Sequence, residues 1–226
     1  MRLFGVIALA TLIGGAAQAS TVNLVTNGSF EDNPLGSGNW SHFSNVPGWT
    51  GDPNVEIQSN RTLGSIDAKD GSYYAELDTN QDAGMFQDIF LNAGSYDFSF
   101  FYSPRVNDTN TATNDMFYSF KDMATQTLTL LSGTISGAPN ASYPHGVWTE
   151  VNGTLRVQTA ATYRLTFEAR GGSFYGGCGN CGALIDDVSL TGPGGPIDNP
   201  SPVPLPAGFA LLLTGMGGLA VMRRRG

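Results

Sequence analysis

The sequence is poor in the residues that most often mark an enzyme or a helical protein. It holds only two histidines and two cysteines among 226 residues, and 13% of its residues are charged. No long stretch repeats apolar residues with the 3.6-residue period of a helix, and the G-x-S-x-G motif of serine hydrolases is absent. Glu76 and Asp78 share a face of one candidate strand, but nothing divides them into an acid and a base. We therefore expect a protein that is not an enzyme.

Basic residues are also scarce in the body of the chain. Arg2 and the three arginines at 223–225 are four of the 11 Lys and Arg residues, whereas all 19 Asp and Glu residues lie between them. Residues 20–202 therefore carry seven positive and 19 negative charges, a net charge of −12. Such a surface repels nucleic acid and anionic lipid. Its carboxylates suit calcium, which prefers oxygen ligands.

The N-terminus has the pattern of a secretory signal peptide. The first two residues form a short basic start, residues 3–16 are apolar and small, and A-Q-A at 17–19 is an A-x-A cleavage site. The apolar run is too short for a membrane-spanning helix, which needs roughly 20 residues. Residues 1–19 are therefore predicted to be removed during export, and the mature chain to begin at Ser20.

The C-terminus carries a second sorting pattern. The residues V-P-L-P at 203–206 are followed by an apolar run over 207–222 and then by three arginines. This order resembles the PEP-CTERM tail of Gram-negative bacterial exoproteins, although Leu205 stands where that family usually has Glu. The resemblance implies cleavage by an exosortase-type processing enzyme, transient inner-membrane anchoring through the 203–226 tail, and delivery to the cell surface or extracellular matrix. A Gly- and Pro-rich linker over 192–202 precedes the tail.

Between these ends the pattern is that of β-strands. Short alternating or aromatic runs are separated by turn residues such as Asp70-Gly71. The number of runs favours one all-β domain over residues 20–191, an antiparallel two-sheet jelly-roll sandwich. The candidate strands are 23–25, 55–58, 73–77, 85–90, 95–102, 116–121, 127–131, 147–155, 161–169 and 183–190.

Three ordered motifs add a family resemblance. They are N-G-S-F-E at 27–31 with P-G-W at 47–49, D-G-S-Y-Y-A-E-L at 70–77, and I-D-D-V-S-L at 185–190. This order resembles galactose-binding-like jelly rolls, a group that includes xylan- and cellulose-binding modules. The resemblance implies a carbohydrate-binding module with a structural calcium ion where the first and last strands adjoin.

The same resemblance implies a mixed set of calcium ligands. An acidic residue that faces inward on the last strand, as Asp186 does in its alternation with Leu184 and Val188, also needs a partner. The alternative is that these acids are ordinary turn and cap residues of an acidic protein. The implied ligands are the carboxylates of Glu31 and Asp186, side-chain or carbonyl oxygens of Asp67 and Asp70, and the backbone oxygen of Ser29.

Aromatic residues suggest where a polymer would bind. Sugar rings stack on aromatic side chains while polar neighbours hold the hydroxyl groups, although most aromatic residues of a sandwich fill its core. We predict Tyr102 and Arg105 as ligand-binding residues, because 102–105 ends a strong strand and enters a polar loop. From the aromatic set we add Tyr73. For Arg105 a surface ion pair is the alternative. The aromatic set is Trp40, Trp49, Tyr73, Tyr74, Tyr102, Trp148, Phe174 and Tyr175.

The two cysteines form a C-x-x-C motif at Cys178 and Cys181. An exported protein meets an oxidising environment, which favours a structural disulfide over half a metal site or a redox centre.

Three functions remain open. In order of preference they are a calcium-stabilised module that binds carbohydrate or another extracellular polymer, a structural matrix protein without a small-ligand site, and a hydrolase of polysaccharides.

Overall fold

The computed structural model describes residues 22–36, 38–79, 81–108, 112–171 and 182–193. Every regular element in these residues is a β-strand, and every strand pair is antiparallel. The strands are β1 (Trp40–Val46), β2 (Trp49–Ser59), β3 (Tyr73–Glu76), β4 (Gly84–Leu91), β5 (Gly94–Pro104), β6 (Met116–Asp122), β7 (Thr129–Ile135), β8 (Thr149–Val157), β9 (Ala161–Ala169) and β10 (Ala183–Thr191).

Strand β2 belongs to both layers of the sandwich. Along one edge, its residues Thr50 to Asp52 pair with β4 and its second half pairs with β3, whereas β1 pairs with the other edge from Trp49 to Gln58. One layer therefore runs β1-β2-β3-β10-β5-β8, and the other runs β2-β4-β9-β6-β7. The predicted all-β antiparallel sandwich of the jelly-roll type is confirmed.

The core forms between the two layers because strands of both alternate strictly. Phe98 and Phe100 of β5 and Phe167 of β9 are almost fully buried. The Phe167 ring centroid lies 5.0 Å from that of Phe100 and 6.4 Å from that of Phe98. Burying a side chain of this size stabilises a fold by roughly 1.5–3 kcal/mol. These contacts fix which face of each strand is left to the outer surface.

Nine of the predicted strands overlap a strand of the structure. The exception is 23–25, which is not a strand, although Leu24 N–H donates to the Leu190 carbonyl of β10 at 2.8 Å. Strand β1 was not predicted. It pairs with β2, to which a tight turn at Pro47 and Gly48 connects it. The prediction therefore missed the first strand of the layer that runs from β1 to β8.

Several predictions fall on residues outside those described. They are the signal peptide at 1–19, the linker from 194 onward, the sorting tail at 203–226, and Cys178 with Cys181. The chain separates into the units Met1–Gly195 and Pro196–Gly226, and all described residues belong to the first. Among the described residues, none lies in a helix long and apolar enough to cross a membrane. The sorting signals and the disulfide stay predictions.

Candidate functional site

Glu31, a predicted calcium ligand near the start of the domain, holds the turn that precedes β3. Its Oε1 accepts hydrogen bonds from the backbone N–H groups of Ser72 and Tyr73 at 2.7 and 2.8 Å. The residue before them is Gly71, whose φ is +77° and where an added Cβ would lie 2.4 Å from the Glu31 carboxyl group. Glycine is therefore required here by both the backbone angle and the close approach of the carboxylate.

Asp186, the predicted ligand from the last strand, reaches the same turn from β10. Its Oδ2 accepts hydrogen bonds from the N–H groups of Lys69 and Asp70 at 2.7 and 3.0 Å, and its Oδ1 accepts one from Asp187 N–H at 2.7 Å. The residue is fully buried. Burial raises the pKa of Asp186 to about 7, although the three N–H donors favour the ionised form and oppose the rise. Carboxylates from both ends of the domain thus clamp one turn.

Among the other three predicted ligands, Asp70 contacts Asp186 through its backbone N–H, a donor that does not bind a metal ion. The Asp67 carboxylate is half exposed and lies 3.8 Å from Arg61 Nε, Asp70 is exposed, and Ser29 is half-buried. In the part of the chain that the structure describes, no three side chains of His, Cys, Asp or Glu are grouped to hold a metal ion. Backbone donors satisfy Glu31 Oε1 and both Asp186 oxygens, so calcium binding stays a prediction.

The three predicted ligand-binding residues do not form one cluster. Tyr102 continues the core-facing alternation of β5, is fully buried, and donates its hydroxyl to the Asn114 carbonyl at 2.9 Å. Its assignment to a binding surface is therefore wrong. Tyr73 is half-buried and donates its hydroxyl to the Gly36 carbonyl at 3.2 Å, which ties it to a neighbouring loop. Arg105, just after β5, does line a pocket.

A row of polar side chains crosses the outer face of β1, β2 and β3. In β2, Glu56 and Gln58 alternate with two residues that pack in the core. Glu56 is paired with His42 of β1 on one side and with Glu76 of β3 on the other. Paired residues of neighbouring strands project from the same face of a sheet. The three strands therefore bring two glutamates, a glutamine and a histidine into contact.

Hydrogen bonds join these side chains and Arg105 into one network. His42 Nε2 lies 2.6 Å from Glu56 Oε2, and Gln58 Nε2 donates to Glu56 Oε1 at 2.6 Å and to Glu76 Oε2 at 2.7 Å. Arg105 Nη1 donates to Glu76 Oε1. The two glutamates and Gln58 are almost fully buried, with exposures of 5%, 1% and 1%. Buried charges of this kind are tolerated when they are paired and hydrogen-bonded.

The environment of the network determines which of its ionisable side chains carry a charge. Burial, with the neighbouring Glu76 charge, raises the pKa of Glu56 to about 9, and burial lowers the pKa of His42. Both shifts favour the neutral forms, a protonated Glu56 beside a neutral His42. Burial also raises the pKa of Glu76, while the Arg105 guanidinium opposes the rise. We assign the ionised form to Glu76, because Arg105 always carries its charge.

The network borders a pocket of about 230 Å³ on the outer face. Trp40 stands at its edge, 53% exposed, with its ring centroid 5.4 Å from that of His42. Gln58 Oε1 and Thr79 Oγ1 are buried and have no hydrogen-bond partner in the described chain. Because buried polar atoms are rarely left unpaired, each of these atoms is expected to take a partner from outside the described chain, such as a water molecule or a ligand group. The lining residues are Trp40, His42, Glu56, Gln58, Thr62, Leu63, Thr79 and Arg105.

Sequence reasoning found part of this pocket. Arg105 was predicted, and Trp40 belongs to the predicted aromatic set, whereas His42, Glu56 and Gln58 were missed. Two signals could have found them. The Pro-Gly dipeptide at 47–48 marks a turn with aromatic residues on both sides, Phe43 before it and Trp49 after it. The alternation of Glu56 and Gln58 with apolar residues puts both on one face of a strand.

Comparisons with known proteins give structural similarity without a family. No family model matches the chain, and no curated protein matches it. Among solved structures, TmCBM61 in complex with beta-1,4-galactotriose is 16% identical with a TM-score of 0.43, covering 75% of this chain and 97% of that one. The Family 16 Carbohydrate Binding Module-2 is 13% identical with a TM-score of 0.46, covering 74% and 99%.

A third example is CBM6cm-2 from Cellvibrio mixtus lichenase 5A in complex with cellotriose. It is 12% identical with a TM-score of 0.36, and the match covers 76% of this chain and 96% of that one. At these identities and TM-scores, the similarity carries no ligand or activity over to this chain. The candidate site is therefore defined by its own side chains, in a β-sandwich whose structural neighbours include carbohydrate-binding modules.

Proposed function

We propose that the pocket beside Trp40 binds a sugar unit of an extracellular polysaccharide. The observation that carries this proposal is the combination of an exposed indole with two buried polar atoms that have no partner in the described chain. A pyranose has an apolar C–H face and a rim of hydroxyl groups. Trp40 supports stacking of that face, and Gln58 Oε1 and Thr79 Oγ1 support binding of the rim.

The network behind the pocket favours binding because it holds these groups in fixed positions. Gln58 donates both protons of its amide to glutamates at 2.6 and 2.7 Å, so its oxygen is left as an acceptor for a ligand hydroxyl. Glu56 and Glu76 are themselves fixed by His42 and Arg105. A site that is already ordered loses less conformational entropy when its ligand binds.

The same geometry argues against hydrolysis of the polymer. Retaining and inverting glycosidases need two carboxyl groups on opposite sides of the bond that is cleaved. The amide of Gln58 lies between Glu56 and Glu76 and contacts both. A sugar cannot enter between these carboxyl groups without breaking the network. We therefore propose a binding module that is not an enzyme.

The proposed location of this module is outside the cytoplasm. The signal-peptide pattern at 1–19 and the sorting-tail pattern at 203–226 support export, tail anchoring in the inner membrane, and processing by an exosortase-type enzyme. A net charge of −12 between them suits a soluble module at a cell surface or in a matrix. A structural calcium ion belongs to the same proposal and is tested by the melting experiment described below.

Binding to a panel of soluble polysaccharides, measured by affinity electrophoresis and calorimetry, tests the proposal. We expect Trp40→Ala to weaken binding about tenfold or more, as truncation of an aromatic anchor does at other interfaces. Phe90→Ala is the matched control, because Phe90 is also an exposed aromatic residue but lies on the other layer. Equal binding by Trp40→Ala and the unaltered protein would remove this pocket from consideration. Absence of binding to every polymer would favour a structural matrix protein.

A further inference from the structure

The pocket contains a permanent positive charge that the protein itself neutralises. Among the described residues that line the pocket, Arg105 is the one whose side chain is always cationic. Its Nη1 donates to Glu76 Oε1. The Arg105 side chain is 21% exposed, whereas that of Glu76 is fully buried. The cation therefore reaches the pocket and its counter-charge lies behind it.

Glu76 is held in this position by three further constraints. Its Oε1 also accepts the Gly182 N–H at 2.9 Å, and its Oε2 accepts Gln58 Nε2 at 2.7 Å. It is 1% exposed, at the end of β3 between β2 and β10. The donors Arg105, Gly182 and Gln58 all favour the ionised form of this carboxylate and oppose the effect of burial. The guanidinium thus stays paired whether or not a ligand is present.

The remaining ionisable groups of the pocket add no net charge. His42 Nε2 and Glu56 Oε2 lie 2.6 Å apart, and burial favours the neutral form of each residue. The polar atoms without a described partner, Gln58 Oε1 and Thr79 Oγ1, belong to uncharged groups. With Arg105 paired to Glu76, the residues that line the pocket therefore carry no net charge; Asp78, which interacts electrostatically with both, does not line the pocket.

We propose that Glu76 sets the charge selectivity of this pocket: by neutralising Arg105 it makes the pocket accept uncharged sugar units and exclude uronic acid or sulfated ones. This inference rests on the proposed function. An arginine without a partner would bind a sugar carboxylate or sulfate through two parallel hydrogen bonds. With Glu76 in place, an anionic sugar would lose water without gaining a free cation, and it would also face an acidic protein surface.

The test replaces Glu76→Gln, which keeps the size of the side chain and removes its charge. Binding is measured to a neutral β-glucan and to two polyuronates, polygalacturonate and alginate, at low and moderate salt. Glu150→Gln is the matched control, because Glu150 is exposed on β8 of the same layer and the substitution changes the net charge equally. Circular dichroism and thermal melting establish that each variant is folded.

We expect the unaltered protein to bind the neutral polymer at least tenfold more tightly than the polyuronates. Glu76→Gln should gain about tenfold or more for a polyuronate, and the gain should fall with salt. The double variant Glu76→Gln/Arg105→Gln should lose that gain, and Glu150→Gln should not show it.

Two results separate this inference from the proposed function. If the unaltered protein binds neutral polymer and a folded Glu76→Gln variant gains nothing for polyuronates, charge selection by Glu76 is refuted while binding stands. If the unaltered protein binds no glycan, both fail. Should Glu76→Gln not fold, equal affinity of the unaltered protein for neutral and uronate polymers would overturn the inference, and a tenfold preference for the neutral polymer would support it.

Discussion

Neutralising Asp186 should remove a large part of the pH dependence of stability. Asp186 is buried and its pKa rises from 3.8 to about 7, chiefly because burial disfavours the charge. The folded-state pKa therefore lies above the unfolded one. The stability that this group contributes is fully present below pH 3.8 and is lost as the pH rises through about 7.

The magnitude follows from the size of this shift. Each pKa unit corresponds to about 1.4 kcal/mol, so the free energy of unfolding should fall by about 4 kcal/mol across this window because of Asp186 alone. In Asp186→Asn this contribution to the pH dependence of the free energy of unfolding disappears. The amide oxygen still accepts the N–H groups of Lys69 and Asp70, but the amide nitrogen faces the Asp187 N–H, and the lost hydrogen bond costs about 1 kcal/mol.

Urea denaturation at pH 4, 5.5, 7 and 8.5, in excess chelator, measures this effect. Asp186→Asn should be about 1 kcal/mol less stable than the unaltered protein at pH 4 and more stable by a few kcal/mol at pH 8.5. Asp97→Asn, at an exposed position of β5, controls for the change in net charge. Parallel curves for Asp186→Asn and the unaltered protein across the whole pH range would refute the reasoning.

Two other predictions concern the same turn. If calcium binds where Glu31 and Asp186 converge, added calcium should raise the melting temperature and excess chelator should lower it again; a melting curve that ignores both would count against the ion. Gly71→Ala should destabilise the fold by about 2–4 kcal/mol in urea titrations, because it adds a collision with the Glu31 carboxyl group to a strained φ of +77°. Gly64→Ala has a similar φ of +72° but open space around it, so its loss should stay near 1 kcal/mol, and equal losses would show that the carboxylate contact is unimportant.

Most of the fold could be predicted because strands of a sandwich show a local, two-residue period. The sequence of β9 alternates between core and surface residues over its whole length, and its predicted bounds match the structure. Strand β1 was missed because its burial pattern is weak, with several half-buried and exposed residues in succession and a bulge between Phe43 and Asn45. A short edge strand of this kind owes its conformation to its neighbour β2 rather than to its own pattern.

A residue of the site could be predicted only where the pattern of its own segment indicates it. The end of β5 pointed to Arg105, but its partner Glu76 lies 29 positions away, and no local pattern encodes a pairing across β3, β10 and β5. The error at Tyr102 has the opposite cause. Tyr102 was predicted to bind ligand because it is aromatic and ends a strand. The alternation of β5 nevertheless places it on the same face as the core residues Phe98 and Phe100.

Strand β2 pairs with β4 through its first residues and with β3 through its last, and β1 pairs with it along most of its length. Neither layer can separate from the other without breaking bonds along this one strand. Local opening of a single layer should therefore be suppressed, and the amides of Glu56 to Gln58 should exchange with deuterium only through global unfolding. Because the same residues carry the pocket, its geometry persists for as long as the molecule remains folded.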